Sequence, residues 1–149
     1  MIVKDIMTDP AVLIEENASV YDVANVMRQH NIGAVPVINA TSNLVGMVTD
    51  RDIVVRNMAR GLDPKSHSVS EIMTKDVSFV APGVEIDEAS RMMAREKVRR
   101  LPVVENDRVI GLIALGDISA CQEYLFETGE ALSEISKGCH KKHPSRTLD

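Results

Sequence analysis

The chain has 149 residues, 44% of them hydrophobic and 26% charged, which is the composition and roughly the length of one globular domain. A net charge of −5 argues against a surface built for nucleic acid or for an anionic membrane, so any phosphate recognition has to be local. No run approaches the ~18 apolar residues of a membrane span, the N-terminal stretch lacks a signal-peptide pattern, and two cysteines make no disulfide framework, so a cytoplasmic protein is expected.

Residues 3–8 read VKDIMT, and residues 69–74 read VSEIMT, so the chain repeats itself at a spacing of 66 residues. At that spacing Met27 meets Met93, and Pro36-Val37 meets Pro102-Val103. One residue then drops out of the second copy, so Gly46, Asp52 and Ile53 correspond to Gly111, Asp117 and Ile118. Two copies of one unit usually bury a face against each other. A copy of roughly 50–60 residues is marginal alone, which favours one module made of both.

In chain order, a short strand near residues 12–14 leads through Asn17-Ala18-Ser19 into a helix. Val20, Val23, Ala24 and Met27 recur there with helical period. Two apolar runs, 34–38 and 44–48, flank Asn39-Ala40-Thr41-Ser42-Asn43 and signal a hairpin. A second helix is expected over 50–59, followed by a linker punctuated by Gly61 and Pro64. The second copy repeats the order: a strand over 77–80, then a helix carrying Ile86, Ala89 and Met93. A hairpin of 101–104 and 109–114 follows, and then a helix over 117–126. Glu85, Asp87 and Glu88 lie early in the first of these helices and Arg95 and Lys97 late, which complements the helix dipole. The expected fold class is α+β, with residues 1–60 as repeat 1, 61–68 as linker, 69–126 as repeat 2 and 127–149 as a polar tail with a short helix.

Chemistry concentrates in Gly46-Met47-Val48-Thr49-Asp50-Arg51-Asp52, at a strand-to-helix junction. Thr49-x-x-Asp52 has the spacing of a capping box, in which the hydroxyl and the carboxylate satisfy orphan N–H groups. The same geometry suits a ligand, because a helix N-terminus favours anions and a carboxylate can accept both hydroxyls of a ribose. The motif alone leaves both readings open.

Two β-α-β-β-α copies, ending in Gly46-to-Asp52 and Gly111-to-Asp117 on the pattern Gly-hydrophobic-x-(Thr/Ser)-x-x-Asp, which the second keeps except at Ala114, resemble a tandem cystathionine-β-synthase (CBS) domain pair of the stand-alone two-domain type. The residues carrying the resemblance are the two IMT starts, Asn31–Val37 as NIGAVPV, Val98–Val104 as VRRLPVV, and both Gly-to-Asp motifs. It covers about residues 1–125. It implies two CBS repeats packed as a pseudo-twofold pair, with two clefts for adenosine-containing ligands such as AMP, ADP, ATP, NAD or S-adenosylmethionine. It implies a regulatory role rather than an enzymatic one. Mapped residue by residue, the first cleft takes Met47, Thr49 and Asp52, with Val77, Ser78 and Phe79 opposite and Arg99 and Arg100 toward the phosphates. The second keeps Asp117 but has Ala114 at the hydroxyl position. It faces Val12, and Gly33 and Ala34 stand where the first cleft has Arg99 and Arg100. Losing two cations and a hydroxyl removes charge-assisted hydrogen bonds of about 1.5–3 kcal/mol each, so one competent site and one weak or empty site are expected.

The resemblance also implies a homodimer, for which the helices at 50–59 and 117–126 are candidate surfaces, and an effector partner that the sequence does not name. No resident cofactor is expected. Two other readings stay open: a ligand-free structural or dimerisation module whose motifs are only helix caps, and a metal-responsive protein using Cys139, His140 and His143. Structural zinc sites need four ligands, usually in two separated pairs, and that cluster supplies three.

Overall fold

The computed structural model describes residues 1–140. The first helix, α1 (Val3–Ile6), is a single turn closed by an Ile2 N–H to Asp5 Oδ2 bond of 2.9 Å. A two-residue strand, β1 (Ile14–Glu15), leads to α2 (Val20–His30). Ser19 caps α2 with Asp22 as its reciprocal partner, the Ser19 oxygen accepting from Asp22 N–H at 3.0 Å. Asn31 ends α2 in the left-handed conformation, at φ 52°. The hairpin β2 (Ala34–Ile38) and β3 (Leu44–Thr49) follows as expected. Asn39 Oδ1 builds its turn by accepting from Thr41 and Asn43 N–H, both at 3.0 Å.

These strands form one sheet in the order β1-β2-β3, with β1 parallel to β2 and β2 antiparallel to β3. Pro36 pairs with Met47, and Ala34 with Thr49. Val20, Val23, Met27, Val35, Val37, Val48, Val69, Ile72 and Met73 pack into one buried cluster under this sheet. Aliphatic side chains fill it entirely, as the scarcity of aromatics requires.

The helix after β3 departs from expectation. Only α3 (Asp50–Asp52) is α-helical; Ile53–Asn57 widens into a π turn and Met58–Arg60 tightens to 3-10. Asn57 is buried inside the π turn, while Val54, Val55 and Met58 stay exposed. Gly61 ends the run in the left-handed region at φ 70°.

Copy two begins with a 3-10 turn, Val69–Glu71, and its first strand shrinks to one parallel bridge between Val80 and Val103. That bridge is the 66-residue counterpart of the β1–β2 pair Ile14–Val37, so the expected strand over 77–80 survives only at its end. Next come α4 (Ile86–Glu96), β4 (Arg100–Glu105) and β5 (Arg108–Ala114). Asn106 and Asp107 both have positive φ, 51° and 61°, as a two-residue turn with the twist of a hairpin demands. The helix expected over 117–126 divides. It runs as α5 (Leu115–Ser119), a 3-10 turn Gln122–Tyr124, and α6 (Leu125–His140). Residues 127–140, expected in a polar tail with a short helix, thus belong to a sixteen-residue helix packed on α4. Ala131 is fully buried, and Ser90 of α4 donates to the Glu127 carbonyl at 3.1 Å.

The chain divides into two compact units that do not coincide with its two sequence copies. One unit holds Pro10–Val77 with Glu105–Ile110; the other holds Met1–Asp9, Ser78–Val104 and the chain from Gly111 onward. Each copy's IMT segment therefore folds with the opposite copy. In the copy-two unit, Val3 N–H donates to Val84 O at 2.8 Å, and Thr8 and Leu112 exchange bonds of 2.9 and 3.0 Å. In the copy-one unit, Val69 N–H donates to Ala18 O at 2.8 Å, and Met47 and Thr74 exchange bonds of 3.0 and 2.8 Å. These bonds repeat in the same register as the sequence.

Candidate functional site

The strand-to-helix corner of copy one is built as the motif predicts. Thr49 is the N-cap of α3, in extended backbone. Its oxygen accepts from Asp52 N–H at 3.2 Å, and its own N–H donates to Asp52 Oδ2 at 2.9 Å. The capping-box reading therefore holds. It also fixes the Asp52 carboxylate, whose side chain is 14% exposed, at the mouth of the corner. A carboxylate has about four lone-pair sites, so the two uses are compatible.

Met47 lies in β3, half-buried, paired through its main chain to Thr74. Met47, Thr49, Asp52 and half-buried Val77 all belong to the copy-one unit, as does half-buried Val12. The remaining nominated residues, half-buried Ser78, exposed Phe79, Arg99, Arg100, Ala114 and Asp117, belong to the copy-two unit. Arg99 and Arg100 are exposed, and among the described residues neither makes a salt bridge. The Arg99 carbonyl accepts from Leu115 N–H at 2.8 Å; in copy one the Gly33 carbonyl accepts from Asp50 N–H at 3.0 Å. At Gly33 an added Cβ would meet the Asp50 carboxylate at 3.0 Å, so an acidic group crowds the position that corresponds to Arg99.

The copy-two corner is half a capping box. Ala114 N–H donates to Asp117 Oδ2 at 2.8 Å, but no hydroxyl answers Asp117 N–H. Within its own unit this corner is the poorer of the two, as the substitution of Ala114 for a hydroxyl residue implies.

Two residues matter more than the sequence reading allowed. Gly46 lies inside β3, where a Cβ would sit 2.5 Å from Met73 Sδ and 2.9 Å from the Thr74 carbonyl. Gly111 repeats this against Met7 Sδ and the Thr8 carbonyl, at 2.8 and 2.9 Å. The glycine of each Gly-to-Asp motif thus lets an IMT segment lie directly on the strand, which an isolated strand glycine can signal. The other is Arg56, which faces Asp52 at 3.6 Å and has no counterpart cation in copy two, where Cys121 stands.

Among the described residues no cluster of metal-ligating side chains forms. Cys139 and His140 lie in the last turn of α6, but their side chains, and all of His143, fall outside the described residues. A surface depression of about 530 Å³ on α6, between Leu125, Phe126 and Glu134, contains none of the nominated residues. No helix among the described residues is long and apolar enough to cross a membrane.

Comparison with known proteins agrees with this architecture. The family model described as "CBS domain" matches twice, over residues 3–57 and 69–122. The CBS domain-containing protein YhcV of Bacillus subtilis is 39% identical over 134 residues, covering 90% of this chain and 94% of YhcV. The solved structure of Hypoxic Response Protein I with two coordinated zinc ions superposes with a TM-score of 0.75 at 33% identity, covering 81% of this chain and 98% of that one. The CBS domain pair of protein MJ0100, solved with 5'-methylthioadenosine and S-adenosylmethionine, gives 0.74 at 28% identity, covering 83% and 96%. With the family model matched over both repeats, the chain belongs to the CBS domain family and carries a tandem pair of these domains.

Proposed function

We propose that this chain is a regulatory module that binds an adenosine-containing nucleotide at the Thr49–Asp52 corner and signals to another protein through a conformational bias. The observation that carries this reading is the corner itself. A complete capping box holds a mostly buried carboxylate in a fixed orientation at a helix start, where a ribose diol can be accepted. The related pair of MJ0100 was solved with two adenosine compounds, which supports an adenosine core in the ligand. In this reading Arg99 and Arg100, exposed and without a salt bridge among the described residues, are proposed as the phosphate contacts, and Met47, Val77, Ser78 and Phe79 as further ligand contacts. AMP, ADP or ATP is then the expected ligand class, and the Asp117 corner with Ala114 and Val12 is the weaker site. A ligand shifts the chain's equilibrium only by its differential affinity for the two states. The output goes to an effector protein or to a second copy, for which the exposed Val54, Val55 and Met58 supply apolar surface.

Thermal melts with AMP, ADP, ATP, NAD and S-adenosylmethionine test the proposal. At 100 times Kd a ligand adds about 2.7 kcal/mol of stability. The shift should vanish in Asp52→Ala and persist in Asp117→Ala. Arg99→Ala with Arg100→Ala should weaken AMP by a factor of about 10² while sparing 5'-methylthioadenosine, since each charge-assisted bond is worth about 1.5–3 kcal/mol. No shift with any of these ligands would leave the ligand-free structural module. A shift with zinc that disappears on deleting residues 138–149 would favour the metal-responsive reading instead.

A further inference from the structure

Arg56 projects from the π turn and meets two separate parts of the copy-one unit. Its Nε lies 3.6 Å from Asp52 Oδ1, and its Nη1 donates to the carbonyl oxygens of Ile72 and Met73, at 3.2 and 3.3 Å. Asp52 is thereby held on both oxygens, since Oδ2 accepts from Thr49 N–H. The two carbonyls belong to the segment whose next residue, Thr74, exchanges hydrogen bonds with Met47 across the space left by Gly46. A planar guanidinium can address a carboxylate and two carbonyls at once, whereas an ammonium is a point charge without that fork. Copy two has no equivalent: Cys121 occupies the position, 3.9 Å from the Asp117 carbonyl.

We infer that Arg56 is a positioning residue. It orients Asp52 for ligand and couples the state of that carboxylate to the seating of the Ile72–Thr74 segment. The inference rests on the reading of Asp52 as the ribose-binding group. A diol that engages Asp52 draws on the oxygen that faces Arg56. The guanidinium then redistributes its hydrogen bonding toward or away from Ile72 and Met73, and occupancy at the corner is felt by the IMT segment that opens the second repeat. Copy one alone carries the device.

Amide hydrogen exchange of the full chain, read at Thr74 without ligand, tests the coupling. Arg56→Gln should accelerate Thr74 exchange by about tenfold or more, because the segment loses its charged anchor. Asp52→Asn should accelerate it in the same direction by a smaller factor, and the double variant should exchange no faster than Arg56→Gln alone. Arg56→Lys, which keeps the charge without the fork, should restore only part of the protection. Unchanged Thr74 exchange in Asp52→Asn, or additive effects in the double variant, overturns the inference. If Arg56→Gln does not fold, Asp52→Asn and Arg56→Lys decide the same question. In the binding arm, Arg56→Gln should weaken adenosine and AMP by the same factor. A larger loss for AMP would make Arg56 a direct phosphate contact and overturn the positioning role. Binding of neither compound by the unmodified chain would sink the ribose reading, while the exchange measurements still decide the coupling.

Discussion

Replacing Gly46 by alanine places a methyl group 2.5 Å from Met73 Sδ and 2.9 Å from the Thr74 carbonyl oxygen. The thioether can swing aside, since it is the end of a flexible chain. The carbonyl cannot move alone, because Thr74 is pinned to Met47 by main-chain bonds of 3.0 and 2.8 Å. Relief therefore requires the IMT segment to lift from β3, with Ile72 and Met73 still packed in the core beneath. Over-packing of this kind costs about 1–3 kcal/mol, and strained pairing bonds add to it, so Gly46→Ala should lose about 2 kcal/mol. For a chain of this length that lowers Tm by about 4–8 °C. Far-ultraviolet circular dichroism during heating reads it directly. Gly111→Ala should behave alike, from its own contacts of 2.8 and 2.9 Å. Gly129→Ala is the control. It lies in α6 with nothing within 4 Å of the added carbon and should gain about 0.5–1 kcal/mol. A Gly46→Ala melt within 1 °C of the parent (~0.3 kcal/mol or less) would refute the close-approach argument.

Three further outcomes are expected. Ala114→Thr supplies the hydroxyl that Asp117 N–H lacks and completes the copy-two capping box, so it should stabilise by about 1 kcal/mol in urea unfolding. Ser90→Ala removes the bond from α4 to the Glu127 carbonyl at a 2% exposed position and should cost about 1–2 kcal/mol in the same assay. Glu71 is held below the usual carboxylate range, first by the Ser68 N–H and then by His67. A carboxylate with a depressed folded pKa stabilises above its unfolded value, and that contribution is lost as pH falls through the folded one. Stability measured between neutral pH and about pH 3 should therefore fall less steeply in Glu71→Gln than in the parent. Identical acid limbs would refute this.

Much of the architecture was legible because it is encoded locally. Ser19 and Asp22 cap α2 in the pattern of a capping box, and both hairpins form around their polar turns. The Thr49–Asp52 box forms with the bonds its spacing predicts. Other features were not legible, for a common reason. Nothing in residues 50–60 announces a π turn, because the contacts that anchor it, from Arg56 to the Ile72 and Met73 carbonyls, come from residues distant in sequence. Half of the residues of α6 are polar, and its one fully buried described residue, Ala131, acquires meaning only with α4 beside it. The first strand of copy two needed a parallel partner along its length and found one only at Val80.

The sequence by itself determined the repeat, the positions of the two Gly-to-Asp corners and their inequality, because Thr49 against Ala114 is a difference of side chains at matched places. Only the tertiary structure decided which copy each IMT segment completes. Met7-Thr8 and Met73-Thr74 carry the same atoms, and Gly46 and Gly111 offer equally narrow seats, so local chemistry permits either assignment. Chain connectivity and cooperative burial select the exchanged one, in which Val3 and Val69 are both fully buried.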